Sequence, residues 1–271
     1  MFRKKYFHDG SIDKYKARLV AKGFTQKENT DYFDTFSPVT RISSIRVLIA
    51  LASIYNLVIH QMDVKTTFLN GDLEEEIYMA QPEGCSIPGQ ENKVCKLVKS
   101  LYGLKQAPKQ WHEKLDQVLI SGGFSTIEVE RCVYIKVVNN DCVIICLYVD
   151  DMPIFCTSLN IVLETKGFLA SNFDMKDLGE AKVILGVKII RNEHDIQLSQ
   201  EHYVEKILRK FEQFNEDPLS TPYDGSVHLT KHEGDPIAQS KYAQIIGSLL
   251  HLMNYTRLNI TYIVCRLSKY T

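Results

Sequence analysis

An apolar run, Val143-Ile144-Ile145-Cys146-Leu147, leads directly into Tyr148-Val149-Asp150-Asp151, and a second apolar run, Ile154-Phe155-Cys156, follows at once. The pattern reads as a buried strand, a tight turn carrying two adjacent carboxylates, and a returning strand. Unpaired negative charge at the end of a buried strand is costly. Something positive is needed there, and a divalent cation suits two hard oxygen donors. The plain alternative is a turn, because aspartate bonds its own backbone and tolerates turn geometry.

A third aspartate shifts the balance. Leu57-Val58-Ile59-His60-Gln61-Met62-Asp63-Val64 reads as another apolar strand ending in a carboxylate, with an Asn70-Gly71 turn soon after. Antiparallel neighbours could bring Asp63 to the Asp150-Asp151 corner. Such a cluster can hold two metal ions about 4 Å apart, the arrangement used to clamp an in-line displacement at phosphorus.

The remaining chain supplies enough material for a core. It has 271 residues, 45% hydrophobic and 24% charged, which fits one or two globular domains. The longest apolar candidate, Val47 to Ile59, is interrupted by Ser53, Tyr55 and Asn56, so the sequence predicts no membrane span. Met1-Phe2-Arg3-Lys4-Lys5 is basic without a following apolar signal core, so secretion is not expected. Seven cysteines, an odd number with no Cys-x-x-Cys pair, point to buried thiols in a reduced, intracellular setting. His228 and His232 have helical spacing, but Glu233, Gly234 and Pro236 follow, and a solvated loop is expected there rather than zinc.

Net charge is -1, which argues against a generic nucleic-acid binder, but the charge is segregated. Residues 1–27 carry eight Lys/Arg against two acids, and residues 93–114 six Lys against one acid. Residues 63–84 reverse this, with six acids against one Lys. A basic track beside an acidic metal centre would look like this, as would a set of ordinary solvated faces.

Taken in order, residues 2–23 read as a β-hairpin turned at Asp9-Gly10, with Lys16, Arg18 and Lys22 on one strand face. Residues 43–55 read as a helix. Val94-Cys95-Lys96-Leu97 is followed by Ser100-Leu101-Tyr102-Gly103-Leu104-Lys105, where Gly103 allows close backbone approach or a turn. Pro108 opens a helix with Trp111, Leu115, Val118 and Leu119 on one face, closed by Gly122-Gly123. A strand near Cys132 to Val138, an Asn139-Asn140-Asp141 turn and the central hairpin follow. Residues 159–173 read as a helix, Ala181 to Ile190 and Ile196 to Leu198 as strands. Tyr203, Ile207, Phe211 and Phe214 mark a helix, residues 215–237 a surface connection, and residues 239–271 a helical end.

These stretches resemble the reverse transcriptase of copia-type retrotransposons. Gln61-Met62-Asp63-Val64-Lys65-Thr66-Thr67-Phe68-Leu69-Asn70-Gly71 is similar to that family's motif A. Ser100 to Trp111 is similar to motif B, and Tyr148-Val149-Asp150-Asp151 to motif C. Tyr15 to Phe24 matches a fingers strand, Phe173 to Gly179 and Leu185-Gly186-Val187 the later palm motifs, and Tyr242 to Thr271 the segment beyond the palm. The resemblance implies an α+β right-hand polymerase fold, with an antiparallel palm sheet packed on helices. Residues 1–195 would form fingers and palm, and residues 196–271 a mainly helical thumb or connection.

It also implies DNA synthesis on an RNA or DNA template with a primer, from dNTPs, using two Mg²⁺ ions or Mn²⁺ as a substitute. Asp63 and Asp150 would be the main metal ligands with Asp151 beside them. Phe68 would lie under the incoming sugar, Lys16 and Arg18 on the triphosphate, and Tyr102 and Gly103 beside the nucleotide. Lys176 would protonate the leaving pyrophosphate, and Leu185-Gly186 would serve the primer grip. The sequence departs from the family at Thr67, Pro153, Cys156 and Asn259, where Ala, a branched apolar residue, Gly and Asp are usual. An integrase before and a ribonuclease H after would complete a Pol polyprotein, working in the cytoplasm, in a virus-like particle, or in the nucleus. The departures also fit an inactive remnant that at most binds nucleic acid. A two-metal nuclease would use the same carboxylates but gives the motif B stretch no role.

Overall fold

The computed structural model describes residues 1–6, 11–193, 195–219, 221–223, 226 and 238–271. The Asp9-Gly10 turn and the His228/His232 pair lie outside the described residues. The chain mixes helices with antiparallel sheets and divides into two compact units. The first comprises Met1–Ile45 and Tyr55–Glu180, the second Arg46–Ile54 and Ala181–Thr271.

In the first unit, strands β1 (Phe2–Tyr6) and β2 (Ile12–Ala17) form an antiparallel pair. The strand ends at Ala17, earlier than the alternation through Lys22 suggests, so Lys16, Arg18 and Lys22 do not share one strand face. Helix α1 spans Ile42–Ile54, and all of it from Arg46 onward belongs to the second unit. Strand β3 (Val58–Val64) leads to a 3-10 turn at Thr67–Asn70. Strands β4 (Tyr78–Ala80) and β5 (Val94–Lys96) pair separately, and helix α2 covers Ala107–Ser121 with proline in its first turn. Then come β6 (Ser125–Ile127), β7 (Glu130–Val138), β8 (Asp141–Cys146), β9 (Asp151–Cys156), helix α3 (Leu159–Asn172) and β10 (Met175–Glu180).

The main sheet has the order β10-β3-β9-β8-β7-β6, antiparallel throughout. The hydrophobic alternation does not reveal β10. Its sequence, Met-Lys-Asp-Leu-Gly-Glu, is polar because it is an edge strand, bonded only to β3. Residues of one parity, among them Met62, Val64, Met152, Ile154 and Cys156, pack in a core with Trp111, Leu115 and Leu119 of α2 and Ile161, Val162 and Leu169 of α3. A smaller core gathers Ala21, Ile77, Leu101, Leu104 and Ala107, and Phe68 packs against both. The expected buried thiols are Cys132, Cys146 and Cys156, while Cys85 and Cys265 are exposed, and all are free. Burial pushes the thiols of Cys132 and Cys156 up to about 12, so they are inert packing groups.

Proline at 153 has a local effect. The β8–β9 ladder runs from Val143↔Cys156 to Ile145↔Ile154 and stops one step short of Pro153, which has no N–H to donate. Strand β3 holds on further, pairing Gln61 with Pro153 and Asp63 with Asp151.

The second unit holds a three-stranded antiparallel sheet of β11 (Val183–Ile184), β12 (Val187–Arg191) and β13 (Ile196–Ser199). Helices α4 (Glu201–Lys210), α5 (Gln239–Tyr255) and α6 (Thr261–Leu267) follow. Helix α4 stops before Phe211 and Phe214, and the Arg209 guanidinium covers the Phe214 ring at 3.9 Å instead. Among the described residues no helix is long and apolar enough to cross a membrane.

Trp111, the single tryptophan, and Leu115 lie one turn apart on α2 in the main core, and Leu115 is fully buried. Leu115→Ala is expected to lower stability by about 2–5 kcal/mol through lost burial and a residual cavity. Leu163→Ala, at a residue 68% exposed, should stay within about 0.5 kcal/mol. Urea unfolding followed by Trp111 fluorescence checks both.

Candidate active site

The three sequence-predicted aspartates meet at one end of the main sheet. Asp63 near the end of β3 lies directly opposite Asp151, the first residue of β9. The Val64 amide donates to the Asp150 carbonyl at 3.0 Å. On the other side of β3, Asp63 pairs with Lys176 of β10. Partners in register share a sheet face, so Lys176, Asp63 and Asp151 form one row across three strands. Their parity is opposite to Met62, Val64 and Met152, which face the core.

Asp150 sits in the turn between β8 and β9. Tyr148 and Asp151 exchange backbone hydrogen bonds of 2.9 and 3.0 Å, which leaves Val149 and Asp150 as a two-residue hairpin loop. Val149 has φ 61°, a left-handed conformation that a β-branched residue rarely adopts. Two buried side chains oppose this strain. The Trp111 indole Nε1 donates to the Val149 carbonyl at 2.8 Å. The hydroxyl of Thr40, fully buried, shares its one proton between the carbonyls of Leu147 at 2.9 Å and Cys132 at 3.0 Å, and its amide also donates to Leu147.

Gln61, 7% exposed, donates from Nε2 to Asp151 Oδ1 at 3.0 Å. Burial raises the Asp151 carboxyl above its ordinary value against this bond, and the charges of Asp150 and Asp63 raise it further. The donors are hard carboxylate oxygens in mutual repulsion, a chemistry that suits Mg²⁺. Among the described residues, however, no group of three or more His, Cys, Asp or Glu side chains is arranged to hold a metal ion. The three aspartates share one corner of the sheet, and one oxygen of Asp151 is engaged by Gln61.

Four of the residues assigned to the nucleotide by resemblance lie together. The Arg18 guanidinium covers the Tyr102 ring at 5.0 Å, and Tyr102 meets Phe68 edge-on at 4.7 Å. The Tyr102 carbonyl accepts from the Ala21 amide at 2.7 Å. Gly103 has φ 94°, and a Cβ there would lie 2.2 Å from the Ala21 carbonyl oxygen. A Cβ on Gly23 would lie 1.8 Å from the Gly103 oxygen. The close approach that Gly103 permits is therefore to the chain's own backbone. Lys16 is partly buried on β2, opposite Arg3. Thr67, 1% exposed, donates its hydroxyl to the Val64 carbonyl at 3.0 Å, which satisfies the extra polar group.

In the second unit, Leu185 and Gly186 form the turn between β11 and β12, with φ 49° and 80°. Two positive φ values are the mark of a type I′ hairpin.

The sequence reading overlooked Thr40, Gln61 and the tethering role of Trp111. A buried indole needs a partner for its N–H, and a glutamine inside an apolar strand needs one for its amide, so two of the three carried a signal. Thr40 carried none.

The reverse transcriptase (RNA-dependent DNA polymerase) family profile matches residues 1–224. The chain belongs to that family. It is 44% identical over 280 aligned positions to the retrovirus-related Pol polyprotein from transposon TNT 1-94 of Nicotiana tabacum, covering all of this chain and 21% of that protein. It is 37% identical over 271 residues to the Pol polyprotein from transposon RE1 of Arabidopsis thaliana, covering all of this chain and 18% of that protein. The truncated transposon Ty1-A Gag-Pol polyprotein of Saccharomyces cerevisiae is 34% identical over 184 residues, 67% of this chain and 14% of that protein. The chain thus spans about a fifth of the length of the plant Pol polyproteins it matches.

The raised carboxyl of Asp151 has a measurable consequence. Between the ordinary carboxylate range and its raised value, the folded protein holds a proton that the unfolded chain has released. Stability is therefore lost as pH rises through that window. Asp151→Asn should remove this loss, giving a higher melting temperature than the parent at neutral pH in chelator and a smaller difference in acid. Thermal melts across that pH range in EDTA test it.

Proposed function

We propose that this reverse transcriptase family member is an RNA-directed DNA polymerase segment of a copia-type Pol polyprotein, extending a primer on an RNA or DNA template. The observation that carries the reading is the pairing of Asp63 with Asp151 beside the turn that bears Asp150. Asp63 and Asp150 would hold the divalent cations, with Asp151 next to them. Bound Mg²⁺ supplies a lowered pKa for the attacking hydroxyl and charge neutralisation at the leaving group.

The protein's own groups do the rest. Strands β3 and β9 fix the carboxylates at one corner of a twisted sheet that serves as the palm. Arg18 and Lys16 attract the triphosphate, and the Tyr102 ring holds the Arg18 guanidinium in place. Phe68, braced by Tyr102 and by two cores, presents its ring to the sugar and excludes a 2′-hydroxyl. Gly103 keeps the Tyr102 segment against residues 21–23 of the fingers. Lys176, exposed beside Asp63, donates a proton to the departing pyrophosphate. The Leu185-Gly186 turn belongs to the primer grip, and the helices of the second unit to a thumb or connection. Other Pol segments, an integrase and a ribonuclease H, are the natural partners.

A second reading is a remnant that binds nucleic acid without extending it. It draws on Pro153, which interrupts a ladder beside the turn, and on the engaged oxygen of Asp151. A primer-extension assay separates the two. Asp150→Asn should slow extension about 10²–10⁴-fold. Salt-sensitive binding to primer-template with no extension by the parent would favour the remnant.

A further inference from the structure

On the core side of the sheet, behind the row of Lys176, Asp63 and Asp151, lies a buried cation. Lys166 of α3 is 8% exposed. Its Nζ donates to Asp177 Oδ1 of β10 at 2.6 Å and meets His60 Nδ1 of β3 at 2.9 Å. An ammonium has no lone pair, so His60 Nδ1 accepts. Burial, then the Lys166 charge, hold the imidazole below its ordinary pKa against the pull of Asp177 and Glu180, consistent with a neutral acceptor.

The same Asp177 oxygen accepts the Gly179 amide at 2.8 Å. The β10–β3 register shifts between Asp177 and Gly179, so this bond closes a β-bulge. Before the bulge, Lys176 pairs with Asp63 and Asp177 with Met62. Strand β10 is an edge strand, free to slide on one side only by changing its pairing with β3. A slip of one residue would reverse every side chain, sending Lys176 to the core and Asp177 to the aspartate row.

We propose that Lys166 is a positioning residue, which fastens the bulged register of β10 through Asp177 and His60 and so keeps Lys176 opposite Asp63. Its catalytic consequence rests on the reading of Lys176 as the proton donor to pyrophosphate, whereas its structural consequence does not. A buried ammonium with two polar partners from two strands can be satisfied in one register only. Removing it leaves the half-exposed Asp177 carboxylate without its cation, and the bulge loses its lock.

Two measurements test this. Asp63→Cys with Lys176→Cys places two thiols on directly opposed strand residues, a separation a disulfide can span. Mild oxidation, with the bridge located by peptide mapping, reports the register without any need for activity. Lys166→Met is expected to slow this bridge about tenfold, because register slip turns the thiols to opposite faces. Lys166→Arg should restore it. Where Lys166→Met unfolds the protein, Lys166→Met combined with Asp177→Asn leaves no unpaired charge at this position, and circular dichroism verifies folding. An unchanged bridging rate in folded Lys166→Met, or in the folded Lys166→Met/Asp177→Asn double variant, overturns the proposal.

The second measurement is single-turnover primer extension with native Asp63 and Lys176. Lys166→Met should lower the maximal rate by about 10²-fold with the nucleotide KM unchanged, as expected for a displaced proton donor. A rise in KM with an unchanged maximal rate overturns the positioning of Lys176. If the parent extends no primer, the polymerase reading fails, and the bridging rate alone decides the role of Lys166.

Discussion

The antiparallel contact between β3 and β9 is the constraint from which the other features of the site follow. It brings Asp63 and Asp151 face to face and leaves Asp150 in the adjoining turn. Negative charge is concentrated where the sheet is already partly closed to water, and the raised Asp151 carboxyl records that burial first and the repulsion of Asp150 and Asp63 after it. Backbone bonding alone would not hold such a corner. Val149 sits in a strained conformation, and the β8–β9 ladder is interrupted at Pro153. Thr40, Trp111 and Gln61 supply the missing restraint from three separate parts of the chain.

The sheet keeps its two duties apart by parity. One set of alternate residues in β3 and β9 packs on α2 and α3, and the other carries the carboxylates. Packing and chemistry are therefore independent along the sequence but rigidly coupled in space. The ion pair of buried Lys166 with exposed Asp177 belongs to the packing side, yet it bears on which residue of β10 reaches the carboxylate side.

How far the sequence could be read depended on how local the signal was. The hairpin around Asp150-Asp151, the strand ending near Asp63 and the helix starting at Pro108 announce themselves through short-range alternation and turn residues. The polar edge strand Met175–Glu180 does not, because a strand bonded on one side needs little apolar sequence. The early end of β2 at Ala17 was hidden as well. Alternation continues through Arg18 and Val20, but the Ala21 amide bonds the Tyr102 carbonyl, a partner far along the chain. Site residues recognised by motif were found in proximity, namely Arg18, Phe68, Tyr102 and Gly103. Those that tether the turn were not, since a hydroxyl at Thr40 reaching two distant carbonyls leaves no periodic trace.

Gly23 and Gly103 press their main chains together where any β-carbon would collide with a carbonyl oxygen. Neither position can change alone, because the obstacle is peptide backbone rather than a side chain that could swing aside. Mutational drift at either one would pry the Tyr102 segment away from its neighbour and unseat the ring that carries the Arg18 cation. Two glycines from distant segments thus share one contact, and the edge-on Phe68–Tyr102 pair with its Arg18 cation depends on both.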